Sequence, residues 1–576
     1  MGASLPRPLT LSYTRRRFET RMLARHAATL ALLVTLPAIA SGQQVADSPA
    51  ARLGALVQQG TSLRVTTQSA EEYAADAATV RSLLAQLDEV PRDSLGRDDQ
   101  VDYDLLRSHL RTRLFETDEL TLHAVRPMAY LALSATDRLF LRPGAVADAG
   151  IREALAELRR LPTVLANGKA NLRTPARVWT ELAIRQARYA RILLDEYVPT
   201  LRTTDQELER DIAAALPAAR AAVDDYRIWL ERELLPRSTR SPTWKPAEIE
   251  FYQAVQEWLP HWTVDSMLVV AEAEARQLDA EMRALAKEIH PSGDLRTAWE
   301  LMKSEAPPWP GVMPMARRYV EMTVAWLTGP GSHVVTIPDF DYGVVETTPM
   351  ARLSLSFGGA SYGPTVAGRL SGYYVLTPPE SWLTDVERAG RLKSYNPYWT
   401  HVISYHEWLG HTAQRASKEL HATRPMRRAY GSAYFSQAWS FYLEKLLEDE
   451  GYFAGLPHME ALKTRMARRQ MRMWRVQRII TKLRMAKGTM SFDEAVRAYV
   501  DRIGMEPANA WLEVARDCQT PSSPGREIIG ELEILRLRRE YQERMGPHYT
   551  LRRFNDTLLR YGDLPFAAIR RLMFAD

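Results

Sequence analysis

A chain of 576 residues, 46% hydrophobic and 25% charged, is long enough to bury a large core. Its net charge of +5, from 75 basic and 70 acidic residues, is too even for a dedicated nucleic-acid binder, which concentrates basic side chains on one face. Arginines interleaved with glutamates, as in Arg536–Arg544, "RLRREYQER", predict a solvated, ion-paired helix face instead.

The first 42 residues read as an export signal. A basic stretch, "TRRRFETRMLARH", precedes the apolar run Ala27–Ala40, "AATLALLVTLPAIA". The small-x-small pattern Ala38-Ile39-Ala40 suits signal-peptidase cleavage, and the run is too short for a membrane span. Thr14–Phe18, "TRRRF", fits a twin-arginine signal. A Sec signal starting at Met22 fits equally. Either route predicts an exported protein, periplasmic or extracellular, with no stable membrane span once the signal is removed. The single cysteine, Cys518, lies far from the signal and allows no intramolecular disulfide, so stability must come from the core.

Residues 43–290 read as an N-terminal helical lobe. Met267, Ala271, Leu278, Met282, Leu285 and Ile289 form one apolar stripe at helical spacing, which His290-Pro291-Ser292-Gly293 ends. Residues 291–576 read as a catalytic-type lobe. Pro- and Gly-punctuated segments lead into extended runs, and a small sheet is predicted within 333–377. Leu353, Leu355 and Phe357 alternate with serines, which is strand periodicity, and "GYYVLTPP" from Gly372 reads as another strand. A strand near 351–357 or 372–376 would let an extended peptide add to a sheet edge. Beyond Pro397 the chain is helical again, broken at "MAKGTM", "TPSSPG" and "YGDLP".

Chemistry concentrates in Tyr405–Gln414, "YHEWLGHTAQ". His406, Glu407 and His411 nearly make the zinc-peptidase pattern HExxH, one residue too long. Histidines four apart lie roughly 40° apart around a helix, whereas five apart they diverge by about 140°. Both face one ion only if the turn widens, as in a π-bulge, and Gly410 makes such distortion cheaper. His401, five residues upstream, reads as a satisfied polar residue. The plain alternative is a pair of ordinary helix histidines.

HEWLGH resembles the HExxGH zinc motif of the dipeptidyl-peptidase III family. More of the chain resembles the bacterial exported family of domain of unknown function 885. That family's "HEAxPGHHLQ"-like segment corresponds to "HEWLGHTAQ", and its "EGWALYAE"-like helix to "QAWSFYLE" at 437–444. Its "G-x-L-x-I-x-x-L-R" helix corresponds to "GELEILRLR" from Gly530, and its tail to "FNDTLLRYGDLP" at 554–565. The resemblance implies a mainly α, helical gluzincin-like peptidase fold with a deep cleft and a small β element before the His/Glu helix.

Departures from the family pattern fall at the site itself. Its second, adjacent histidine is Thr412, and the glutamate that gluzincin logic makes the third metal ligand is Gln437. The tail histidine is Asn555, and a tyrosine before the glycine-led helix is Glu527. A neutral amide is a poorer zinc ligand than a carboxylate; Glu444, two turns beyond Gln437 on the same face, reads either as a substitute ligand or as a residue standing behind the ligands, and Glu527 offers a carboxylate from a distant helix. On the first reading, zinc is held by His406, His411 and one of these carboxylates. Glu407 is then the general base for peptide-bond hydrolysis, with Tyr373, Tyr374 or Tyr442 as candidate donors to the developing oxyanion. On the second, the catalytic set is eroded and the cleft is a peptide- or ligand-binding module. A purely structural protein would instead close an apolar site around His406.

Overall fold

The computed structural model describes residues 48–141, 147–355, 357–366, 369–522 and 524–574. The export signal expected at 1–42 lies outside the described residues. Among those residues the chain is mainly α, with one three-stranded sheet, and Pro49–Asp576 form one compact unit.

The stripe read from the sequence becomes the helix Val264–Ile289. Thr263 caps its N-terminus, accepting from the Ser266 amide, and the chain turns away at Gly293, whose φ of 62° suits glycine. Met267, Ala271, Leu278, Met282 and Ile289 are buried, each large side chain contributing roughly 1.5–3 kcal/mol by leaving water. This helix lies along His458–Ala486, a 29-residue helix with most of its side chains buried. Glu274 and Glu281 of the first helix pair with Arg472 and Arg469 of the second. The main apolar core runs from Leu53 to Ile569, so residues on both sides of position 290 build it. A second cluster, Tyr130–Leu234, sits among the N-terminal helices. No helix among the described residues is long and apolar enough to cross a membrane.

The sheet comprises β1 (Asp341–Glu346), β2 (Gly358–Val366) and β3 (Arg369–Leu376), in the order β1-β3-β2. β3 pairs parallel to β1, with Val344 opposite Tyr374, and antiparallel to β2, with Ala360 opposite Tyr374. Two expectations need correcting. Residues 353–355 are turns rather than strand: Pro349–Ala351 is a 3-10 turn, and Leu355 N–H donates to Ala351 C=O at 2.8 Å. Their alternation reflects Leu353 and Phe357 reaching the core from an irregular segment. The run at 372–376 is the central strand, with both neighbours in place, so β1 and β2 are the edges at which another strand can add.

The helix Ala433–Asp449 is anchored through its cap. Ser432 Oγ accepts from Phe435 N–H at 3.1 Å and donates to Glu257 at 2.5 Å, and Ala433 N–H donates to the same carboxylate. Burial pushes the Glu257 carboxyl up to about 7, outweighing those hydrogen bonds, which favour the charged form. A carboxyl raised in the folded state contributes stability that is complete below its unfolded value near 4.5 and lost as pH rises through about 7. Wild-type protein is therefore expected to lose ~2 kcal/mol more stability between pH 5 and pH 8 than Glu257→Gln does. Thermal or urea unfolding at the two pH values measures this, and equal losses in the two proteins would refute it.

Candidate metal and substrate site

The His/Glu segment begins with a well-specified helix start. Asn396 Oδ1 accepts from Trp399 N–H at 3.0 Å, and Pro397 occupies the first helical position. The α-helix Pro397–Tyr405 passes directly into a π-helix, His406–Ala413. Bonding from i to i+5 stacks His411 over His406, and their rings lie 5.1 Å apart at 77°. His406, Glu407 and His411 each bring one ligand-type atom within 4.8 Å of the other two. This is the widened turn that the five-residue spacing demands.

Gly410 serves this turn through packing. Its φ is not positive, so the backbone there does not require glycine. Instead a Cβ would stand 2.7 Å from Ser440 Cα and 2.5 Å from its Cβ, because the helix Ala433–Asp449 crosses at backbone contact. That helix turns one face to the π-turn: Gln437 at the cavity, Ser440 against Gly410, and Glu444 beneath His406. On the other side β3 presses in, and a Cβ on Gly372 would stand 2.9 Å from Thr412 Cβ.

Glu444 Oε1 lies 2.7 Å from His406 Nδ1, both side chains buried. With the carboxylate accepting from Nδ1–H, the Nε2 lone pair is left for a ligand, the arrangement by which outer carboxylates orient metal-binding histidines. Burial, then the Arg475 guanidinium, holds His406 well below its ordinary value; burial and then His406 do the same for His411. Both imidazoles are neutral, as metal ligation requires. Burial pushes Glu407 and Glu444 each up to about 7, with Arg475 pulling the other way in both.

His406, Glu407 and His411 line a cavity of about 400 Å³. Gln437 lines it too, so the amide stands where the family pattern has a carboxylate. Glu444 lies behind His406, outside the set of three clustered donors. Glu527 is buried beside the cavity, bonded to Arg478 and 3.3 Å from Arg526. Burial raises its pKa, but the Arg526, Arg478 and Arg475 guanidiniums overcome this and bring it to about 2. None of the three tyrosines named from the sequence lines the cavity. Tyr373 packs with Leu141 and Val375. Tyr374 is buried, and its ionisation is opposed by burial and then by the Glu407 charge. Tyr442 bonds Arg538 at 3.1 Å and approaches Asn555 at 3.5 Å, while Asn555 donates to Val334 C=O at 2.8 Å; neither lines the cavity. His401 is a buried core residue: it stacks on Tyr319 at 4.2 Å and bonds Tyr452 through Nε2 at 3.0 Å, while its Nδ1 is buried without a hydrogen-bond partner among the described residues.

Sequence reasoning missed Tyr362, which lines the cavity from β2 and donates to His411 C=O at 3.2 Å. Placing the strand too early hid it. It also missed four arginines in the wall: Arg475, Arg478, Arg516 and Arg526. A signal was present in "QMRMWRVQRII" at 470–480, where arginines recur every three residues inside an otherwise core-like helix.

A family model described as bacterial protein of unknown function (DUF885) matches residues 49–573. The fold is similar to that of a lipoprotein candidate of unknown function from Shewanella oneidensis, with TM-score 0.67 and 18% identity over 91% of this chain and 97% of that one. It is also similar to a lipoprotein candidate from Colwellia psychrerythraea, with TM-score 0.69 and 16% identity over 93% and 99% of the two chains. No curated protein matches.

The Gly410–Ser440 contact yields a direct test. Gly410→Ala is expected to cost about 1–3 kcal/mol or more, because backbone rather than a flexible side chain must move. It should also pull His406 away from Glu444. An unfolding midpoint unchanged from wild type would show that the two helices do not meet this closely.

Proposed function

We propose that this chain, which belongs to the bacterial DUF885 family over residues 49–573, is an exported metal-dependent hydrolase of peptide bonds. The observation that carries the reading is the π-turn clustering of His406, Glu407 and His411 at the cavity wall, with His406 oriented by Glu444.

The donor set suits zinc. Two neutral imidazole nitrogens and an oxygen donor match its preferred chemistry, and the Nδ1–H to Glu444 bond leaves His406 Nε2 as the ligating atom. His406 and His411 would hold the ion, with Gln437 the nearest family ligand position and a weaker donor than carboxylate. Bound zinc supplies Lewis-acid polarisation and acidifies water. Glu407, raised to about 7 by burial, is poised to accept a proton near neutral pH. It takes one proton from water as the water oxygen bonds to the scissile carbonyl carbon. It then returns that proton to the departing amide nitrogen as the C–N bond breaks, giving one acid and one amine. The Tyr362 hydroxyl, bonded to the His411 carbonyl, is the tyrosine that lines this cavity.

Gln437 favours a second reading, in which the metal site is weakened and the cavity binds its ligand without turnover. The two separate on one substitution. Glu407→Gln, nearly isosteric, should lower peptide hydrolysis by at least ~100-fold while leaving the unfolding midpoint in place. Undiminished hydrolysis would remove Glu407 from the reaction, and a wild-type protein that binds zinc and peptides without cleaving them would establish the binding module.

A further inference from the structure

Seven arginines lie along the helix His458–Ala486, and six have carboxylate partners; Arg465 approaches Glu448 at 3.4 Å and Arg484 bonds Glu272 at 2.6 Å. Arg468 and Arg469 share Glu448, Arg472 bonds Glu274 and Glu531, and Arg478 bonds Glu513 and Glu527. Arg475 differs. Its side chain is 7% exposed, its nearest carboxylate among the described residues is Glu444 at 3.8 Å, and its hydrogen bonds among them go to Met471 C=O at 3.2 Å and the Met471 sulfur at 3.3 Å, with the guanidinium 4.9 Å from the Trp474 ring centroid. Its Nε is buried without a partner. A buried guanidinium without a bonded anion is costly, and this one lies in the wall of the His406–His411 cavity.

Arg526 adds a second under-used cation in the same wall. Among the described residues its ion pair is with Glu527, through Nε at 3.3 Å, and its side chain remains 25% exposed. Glu527 is already bonded by Arg478. Gln437 brings no charge to the wall, and Glu407 is the one carboxylate among the described residues that line the cavity. The space, about 400 Å³, is near the lower end for ligand pockets and holds roughly two extended residues at ~3.4 Å each.

We infer that Arg475 and Arg526 form a seat for the C-terminal carboxylate of a short peptide, presenting its last peptide bonds to Glu407. The inference rests on the hydrolase reading for its orientation but not for its binding chemistry. An arginine pair supplies forked donors matched to a carboxylate, and a ligand anchored at its end in so small a cavity is trimmed from that end rather than cut internally.

The test separates the two claims by measuring binding in the Glu407→Gln protein, where turnover does not intervene. Calorimetry compares acetyl-trialanine free acid with its C-terminal amide at low salt. The acid should bind about tenfold or more tightly, with the preference lost in Arg526→Gln, a partly exposed position, and reduced in Arg475→Lys. Inorganic phosphate should compete with the acid. Equal affinity for acid and amide overturns the seat, as does phosphate binding without binding of the acid. Acid preference in a protein that cleaves no peptide would leave the seat standing and fell the hydrolase reading. Equal wild-type cleavage of acid and amide would do the reverse.

Discussion

The backbone contact between Gly410 and Ser440 is the constraint on which the rest of the site depends. A regular α-helix would turn His406 and His411 to different sides. The π-helix brings them together, but a widened turn is weakly self-supporting and must be held from outside. The crossing helix does this on one side and β3 on the other, each meeting the turn where a side chain is missing, at Gly410 and Gly372. The same crossing delivers Glu444 to His406 Nδ1. Histidine spacing, ring orientation and the carboxylate contact at Nδ1 are thus consequences of one packing arrangement.

Burial then sets the charges. The site is sunk deep enough that both histidines stay neutral and both nearby glutamates rise to about 7. The arginines of His458–Ala486 compensate by drawing carboxylates inward, and most of this charge is neutralised pairwise. Arg475 is left facing the cavity with its nearest carboxylate at 3.8 Å. Its charge favours anions there and weakens the hold on a dication. The absence of a third carboxylate at Gln437 acts in the same direction. A site with this balance suits an anionic ligand better than a conventional zinc cage would.

Much of this architecture was legible in the sequence, for identifiable reasons. Helical periodicity gave Val264–Ile289 and its end at His290, because a stripe of large apolar residues admits one face. The five-residue histidine spacing required a π-turn, since no α-helix satisfies it. The strand near 353 was misread because alternation of leucine and serine also arises when an irregular segment dips into a core. Glu444 could be placed on the correct helix face but not against Nδ1, because that contact depends on the crossing distance set by Gly410. The arginine wall stayed hidden because basic residues at helical spacing usually mark a solvated face, and here tertiary packing buries them against glutamates far away in the chain. Nothing in the sequence separates Tyr373, Tyr374 and Tyr442, which do not line the cavity, from Tyr362, which reaches it from the neighbouring strand.

The most direct test of a metal centre at the π-turn is elemental analysis of the purified mature protein after zinc is supplied, beside His406→Ala. A metal centre at the π-turn predicts near-stoichiometric zinc in the wild type and its loss in the variant, with binding that persists below pH 6.5 because burial holds both histidines well below their ordinary value. Absence of zinc from the wild type, or equal zinc in both proteins, would contradict it.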